Sequence, residues 1–314
     1  MKAFFSTAFG GPEVSFYGEL PDPSPGIGQL LVEVIAVSLN AADIKIKRGD
    51  LKSYTGSVFP KILGSDFAGI VKEVGPGTTG FNRGDRVYGM TSVFTGKPGA
   101  LAELLTVDKV KVRPVPAGMT FEEAAALPAA SLTAINGLRT CMITAGKELL
   151  INGATGGVGH FAVQIAKALG AVVTATCSPD NAGFARKLGA HNVIGYRRKD
   201  LVSAGRKYDA ILDAYGRMEY ADARRLLKRG GIYASTLFVP PSGISSFFLK
   251  HVYGKRLTAA NMRAEPEDYQ EIERMFLEKK LYPVIENYFT LDKAASAFEL
   301  AEHGKHRGKI VVTV

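Results

Sequence analysis

Between Lys147 and Ala171 the chain reads KELLINGATGGVGHFAVQIAKALGA. A short apolar run meets a glycine-rich turn, and the turn opens onto apolar residues at helical spacing. Strand, tight loop and helix are the arrangement this order of residue types favours. The pattern then repeats. AVVTATC is followed by NAGFARKLG, NVIGY comes third, YDAILDA precedes the helical MEYADARRLLKRG, and GGIYASTL is a fifth strand. Strands alternating with helices at this spacing predict an α/β fold, a doubly wound parallel sheet with helices on both faces.

The residues before this block read differently. LLVEVIAV, FAGIVKEV, DRVYGM, LAELLTV and VKVRPVP are short apolar or alternating runs separated by PDPSPGIG, GPGTTG and GKPG. They predict a compact, barrel-like β-rich domain over residues 1–118. From Thr120 onward FEEAAAL and SLTAINGLR read as helices, so the sheet domain is set at 119–261. In the last part, 262–314, EPEDYQEIERMFLEKK and LDKAASAFELAEHG read as helices, and PVIENYF and GKIVVTV as strands. These pieces are expected to complete the first domain. A chain of 314 residues exceeds what one core usually serves.

Two cysteines, Cys141 and Cys177, exclude a disulfide framework and point to a reducing compartment. MKAFFSTAFGG lacks a signal-peptide core, and LLVEVIAVSLNAA, the longest apolar run, is broken by Glu33. A cytoplasmic protein with no transmembrane segment is expected. The net charge is +9, with the basic residues scattered. That suits a basic surface or the steering of an anionic ligand, and argues against a specific nucleic-acid partner.

In GATGGVG, Ala154, Gly156 and Gly159 make an A-x-G-x-x-G form of the dinucleotide fingerprint. The first position must turn, the second lets backbone approach a pyrophosphate, and the third lets helix pack on strand. With Thr155, Gly157 and Val158 they present N–H groups at a helix N-terminus. The end of the second strand, CSPDN, chooses the dinucleotide. An NAD site places a carboxylate there. Here Ser178 follows Cys177, and Asp180 comes two residues later. Ser178, Asn181, Tyr196 and Arg197 are candidate donors to a 2′-phosphate, so NADPH is the favoured cofactor. Ser178 and Asn181 also suit a helix cap, a role compatible with the first. Cys177 reads as a small strand-end residue.

The chain resembles the zinc-free quinone oxidoreductase branch of the medium-chain dehydrogenase/reductase superfamily. The likeness runs through GQLLVEVIAVSLNAADIKIKRG, PKILGSDFAGIVKEVGPGTTGFNRGDRVYG, LPAASLTA, INGATGGVGHFAVQIAKALGA, KYDAILDAYG and the final PVIENYFTLDKAASAFELAEHGKHRGKIVVTV. It implies a GroES-like substrate domain around a Rossmann NADP-binding domain, with a cleft between them. It also implies NADPH, a small hydrophobic electrophile as substrate, and a homodimer joined through an edge strand. KRLTAANM is the candidate for that edge.

Zinc enzymes of this superfamily carry Cys in the first motif and His-Glu in the second. Here SLNAAD places Asn40 at the first, and LGSDFAG places Ser65 and Asp66 at the second. No metal site is expected, because catalytic zinc takes three N, S or O ligands and an open position. Without a Lewis acid, alcohol oxidation is disfavoured, and acceptors needing little activation are favoured. Asn40 is expected to orient the acceptor carbonyl, or else to be a turn residue. Tyr54 is a proton donor or aromatic wall, or else a loop tyrosine. Asp43 and Arg48 are expected to build the loop around Asn40. By position in the family, Thr133 and Leu237 lie at the nicotinamide end, and His306 and Arg307 near the cofactor. LDAYGR stands in place of the family's more usual LD-x-x-GG, so Tyr215 and Arg217 are expected to reshape the pocket, and Asn181 stands where some relatives carry a phosphate-binding Lys. The Phe-rich stretch 238–254 borders the pocket or belongs to a core or interface.

The expected activity is NADPH-dependent hydride transfer to a quinone or α,β-unsaturated carbonyl without zinc. The alternatives are a non-catalytic NADPH-binding redox sensor or RNA-binding protein, a zinc-independent reductase of another carbonyl, and a zinc alcohol dehydrogenase that would carry metal.

Overall fold

The apolar and alternating runs of the N-terminal part form β1 (Lys2–Ser6), β2 (Ser15–Glu19), β3 (Gln29–Ser38), β4 (Lys61–Ile62), β5 (Asp66–Val74), β6 (Arg86–Met90), β7 (Leu104–Asp108) and β8 (Val112–Pro114). The computed structural model describes residues 1–197, 200–201, 205–237, 256–260, 262–304 and 306–314. They form two units, one of Met1–Ala129 with Pro283–Val314 and one of Ala130–Tyr282.

The second unit contains β9 (Glu148–Asn152), β10 (Val172–Cys177), β11 (Asn192–Gly195), β12 (Tyr208–Asp213), β13 (Leu227–Ser235) and β14 (Arg256–Ala259). They lie in the order β11-β10-β9-β12-β13-β14, and every pair is parallel. Numbered from β9, that is the Rossmann order 3-2-1-4-5-6. The central strands are buried on both faces, which is why LLI and AILD read as continuous apolar runs.

The chain returns to the first unit with β15 (Ile285–Thr290) and β16 (Lys309–Thr313). The large sheet there runs β15-β16-β3-β5-β6-β8, with β7 also on β3. β3 pairs antiparallel with β5, β7 and β16, and of its ten residues only Glu33 is exposed. The core beneath gathers Phe4, Val32, Phe67, Leu101, Leu105 and Phe298, each at most 2% exposed. Burying side chains of this size contributes about 1.5–3 kcal/mol apiece. Phe4 and Phe298 stack at 5.7 Å, tying the N-terminal strand to the helix Ala294–His303.

Four features depart from the sequence reading. The junctions expected at 118 and 262 fall inside the units, because the helix Phe121–Ala126 packs on β3 and β5, and the helix Pro266–Leu277 stays with the second unit. Asp268 on that second helix holds Asn136 and Arg139, which anchors it there. The hairpin of β1 and β2 is additional. The helix expected over MEYADARRLLKRG ends at Leu226, since Leu227 joins the sheet beside Tyr208. Of KRLTAANM, Arg256–Ala259 is an edge strand on β13. The stretch 238–254 lies outside the described residues.

Candidate active site

β9 ends at Asn152, and the helix Gly159–Ala168 begins seven residues later. The left-handed turn falls on Gly153, with φ of 76°. It does not fall on Ala154, because a side chain resists that conformation and glycine does not. Ala154 is instead fully buried, and its N–H donates to the Thr176 carbonyl at 3.1 Å. A Cβ on Gly159 would stand 2.1 Å from the Gly153 carbonyl oxygen, so this position admits no side chain. A Cβ on Gly156 would meet nothing nearer than 3.6 Å. The open face of the loop therefore lies at Gly156, beside the half-exposed Gly157 and Val158. Bare backbone at a helix N-terminus, open where a Cβ would intrude, fits a pyrophosphate. Thr155 is buried and accepts a hydrogen bond from Asn181 Nδ2 at 3.4 Å.

The loop is held from below by a polar network that the sequence did not single out. Thr176 Oγ1 accepts from the Gly153 N–H at 3.2 Å and donates to Asn152 Oδ1 at 2.7 Å. Asn152 Nδ2 donates to Asp213 Oδ1 at 2.7 Å. Asp213, fully buried, also accepts from the N–H groups of Gly216 and Met218 and from the Tyr233 hydroxyl at 2.8 Å. Burial and the Asp213 carboxylate push the Tyr233 phenol up, so it stays a donor. The network spans four adjacent strands, β10, β9, β12 and β13, at their C-terminal ends, where doubly wound sheets hold ligands. Asp213 is the charged residue closing the apolar AILD run, a signal visible in the sequence. Tyr215 packs against Gly153, and its ring carries the Arg217 guanidinium 5.2 Å from its centre.

Ser178 follows β10, and Tyr196 follows β11, whose Gly195 pairs with Cys177. Ser178 is half-exposed, Tyr196 is 57% exposed, and Arg197 is exposed. Hydroxyl and guanidinium donors thus share one sheet edge. Asp180 is exposed, in the turn Pro179–Asn181 beyond the strand end. Burial pushes the Cys177 thiol up, which suits an unreactive side chain. Thr133 is half-buried on the helix Pro128–Thr140, and Leu237 is 43% exposed just past β13.

In the first unit the ends of three adjacent strands meet at one corner. Asn40 follows β3, Asp66 opens β5 and Lys309 opens β16. Asn40 Nδ2 donates to Ser65 Oγ and to Asp66 Oδ2, both at 2.9 Å. Its Oδ1 accepts from Lys309 Nζ at 2.5 Å. The same ammonium donates to the Leu39 carbonyl at 3.0 Å and lies 4.0 Å from Asp66 Oδ2. Asp43 Oδ2 accepts from the Asn40 N–H at 2.9 Å and from Ser65 Oγ at 3.2 Å, while its Oδ1 has no partner. Burial pushes Asp66 up to about 7 and Asp43 up to about 6, against the pull of Lys309. Burial also lowers Lys309. Asp43, Ser65 and Asp66 are fully buried, Lys309 is 3% exposed, and Asn40 is the half-exposed member.

This corner is what stands at the zinc motifs. Its amide and hydroxyl are engaged with each other and with carboxylates, and an ammonium donates to the amide oxygen. Such a set does not fit zinc, which takes unprotonated sulfur, nitrogen and carboxylate donors. No group of three His, Cys, Asp or Glu able to hold a metal occurs among the described residues. Lys309 was not singled out from the sequence, although a lysine at the head of the apolar IVV was a signal.

The other expected site residues are dispersed. Tyr54, on the short helix Lys52–Thr55, is 75% exposed. Arg48 pairs with Glu302 at 2.8 Å, fixing the helix Ala41–Arg48 to Ala294–His303. Arg307 gives its N–H to Glu286 at 2.8 Å, and its guanidinium lies 3.6 Å from the same carboxylate. His306 Nδ1 is buried without a partner, and burial and Lys309 lower its pKa.

Comparison with known proteins places these features among relatives. Residues 26–117 match a family model described as an alcohol dehydrogenase GroES-like domain, and residues 188–312 match one described as a zinc-binding dehydrogenase. A chloroplastic quinone oxidoreductase of Triphysaria versicolor is 32% identical, over 99% of this chain and 98% of the relative. A chloroplastic NADPH-dependent alkenal/one oxidoreductase of Arabidopsis thaliana is also 32% identical, over 99% of this chain and 79% of the relative. The structure of a quinone oxidoreductase from Coxiella burnetii superposes with a TM-score of 0.90 at 32% identity, covering 100% of this chain and 99% of that one.

Proposed function

Because the chain belongs to the quinone oxidoreductase branch of the medium-chain dehydrogenase/reductase superfamily, we propose that it reduces a quinone or an α,β-unsaturated carbonyl with NADPH and without zinc. The cofactor supplies a hydride from its reduced nicotinamide. The residues of the chain bind, orient and exclude. The loop 153–159 receives the pyrophosphate on bare N–H groups. Ser178, Asn181, Tyr196 and Arg197 offer donors to a 2′-phosphate, with no carboxylate at the tip of β10 to repel it. Thr133 and Leu237 are assigned to the nicotinamide end, and His306 and Arg307 to further cofactor contacts. Neutral His306, with an unpartnered Nδ1, is suited to accept or donate one hydrogen bond.

The observation that carries the reading is the corner at Asn40. An amide, a hydroxyl and a carboxylate closed around Lys309, where zinc ligands would stand, support acceptors that need no Lewis acid. Asn40, the half-exposed member, is the group assigned to the acceptor carbonyl; both hydrogens of its Nδ2 are given to Ser65 and Asp66, so it reaches the carbonyl by exchanging one of these partners, and Tyr54 is a further exposed aromatic. The hydride goes to the electrophilic carbon, and a proton follows from water. Small electrophilic acceptors are named for two relatives of high coverage, a quinone reductase and an alkenal/one reductase. Homodimer formation through β14, the edge strand among the described residues, belongs to the same reading.

A screen of small quinones, alkenals and enones, run side by side with NADPH and NADH, tests it. Turnover of at least one class is expected, with kcat/KM for NADPH about tenfold or more above that for NADH. Absence of turnover across the screen sinks the reading, and equal use of NADH removes the 2′-phosphate assignment.

A further inference from the structure

Lys309 is unusual chemistry for its place. β16 is buried along Lys309–Val312, and the lysine opens it at 3% exposure. A buried ammonium costs several kcal/mol unless it is paired and hydrogen-bonded. Here three groups offset much of that cost. Its partners are the Leu39 carbonyl, the Asn40 side-chain oxygen and the nearby Asp66 carboxylate.

We propose that Lys309 is the built-in cation of this corner: its ammonium takes the place of a metal, closes the motif positions to zinc, and fixes the amide of Asn40 in a single orientation. The proposal rests on the zinc-free reading above and extends it to a positioning residue. The amide lies between opposite charges. Its oxygen faces the ammonium at 2.5 Å, and its NH2 faces the Asp66 carboxylate and the Ser65 hydroxyl at 2.9 Å. A flip would set NH2 against ammonium and oxygen against carboxylate, two repulsions in place of two attractions. Asn40 therefore has one orientation as long as Lys309 is charged.

Neutralisation points the same way. Asp43 and Asp66 are fully buried beside each other, and Lys309 is the one cation among the groups acting on both. Without it, two carboxylates are left in a dry corner. Removing one member of such a set is more costly than removing both charges together. Because Asn40 is the half-exposed member, what Lys309 fixes is delivered to whatever meets Asn40.

The test uses full-length K309A, K309M and the charge-balanced D66N/K309A and D66N/K309M. K309A should acquire a site for a small cation: n-propylammonium, which matches the three carbons and ammonium removed, should raise its Tm in a saturable way, as a ligand of the folded state does. It should leave the Tm of the wild type and of D66N/K309A unmoved. NADPH affinity, measured by fluorescence titration, should stay within about twofold of wild type in K309M and D66N/K309M, while kcat/KM for the acceptor falls about 10–100-fold, the range seen when an outer partner of a metal ligand is removed. D66N/K309M should recover stability relative to K309M but not acceptor kinetics. The recovery keeps the test open should K309M fail to fold. If n-propylammonium fails to stabilise K309A, or if D66N/K309M reduces acceptors as the wild type does, Lys309 is not the cation that positions Asn40. The ammonium titration needs no turnover, so a failure of the proposed activity alone leaves this inference separately decided.

Discussion

At the scale of single residues, the first unit carries its most informative chemistry in one corner. The two carboxylates there titrate high because burial outweighs the pull of Lys309. A carboxyl with a folded pKa of about 6 for Asp43, against about 3.9 unfolded, binds its proton more tightly when native. The native state then holds more protons than the unfolded state between those values, so this contribution to stability declines as pH rises from about 4 toward 7. The hydrogen bonds that Asp43 accepts from Asn40 and Ser65, with the pull of Lys309, only partly offset its burial. D43N should flatten that decline. Thermal unfolding of wild type and D43N at pH 5 and pH 8 measures it. The variant should be relatively more stable at pH 8, by about 1.4 kcal/mol, and a pH-independent difference would count against the assignment. The motifs gave Asn40, Ser65 and Asp66 their positions. The motifs could not give Lys309, because its contact with Asn40 spans 269 residues and arises only when β16 is laid beside β3.

At the scale of elements, the glycine loop separates two requirements that the sequence pattern runs together. Gly159 is needed for packing, with a Cβ only 2.1 Å from the Gly153 carbonyl oxygen. Gly156 is not needed for packing, since its Cβ would sit in open space. G156A should therefore fold with an unchanged Tm and bind NADPH about tenfold or more weakly, a loss of about 1.4 kcal/mol or more. G159A should lose stability by about 1–3 kcal/mol, as overpacking does. Equal effects of the two substitutions on Tm and on cofactor affinity would refute this division of roles. Strand-loop-helix was legible in the order of residue types. The turn at Gly153 was not, because the fingerprint begins at Ala154 and says nothing of φ. The end of the helix at Leu226 was likewise hidden, because a sheet partner at Tyr208 overrode a sequence that reads as helix.

At the scale of the whole molecule, the alternation of strands and helices was enough to predict the parallel sheet, and the Rossmann order follows it. The division of the chain was less legible. Helical residues 121–126 belong with the β-rich unit and residues 266–277 with the parallel one, and only packing partners decide that. No helix among the described residues is long and apolar enough to cross a membrane. The net charge of +9 suits attraction of an anionic cofactor. The two units divide the proposed work, with cofactor donors along the edge of one sheet and an acceptor-facing amide at the corner of the other. The proposed hydride chemistry that unites them asks nothing of a metal. The direct measurement is steady-state reduction of a small quinone and a short alkenal with NADPH by protein treated with a chelator and checked by elemental analysis. The account predicts turnover at an undiminished rate, with zinc far below one equivalent per chain. Turnover that disappears on chelation and returns with zinc would contradict it.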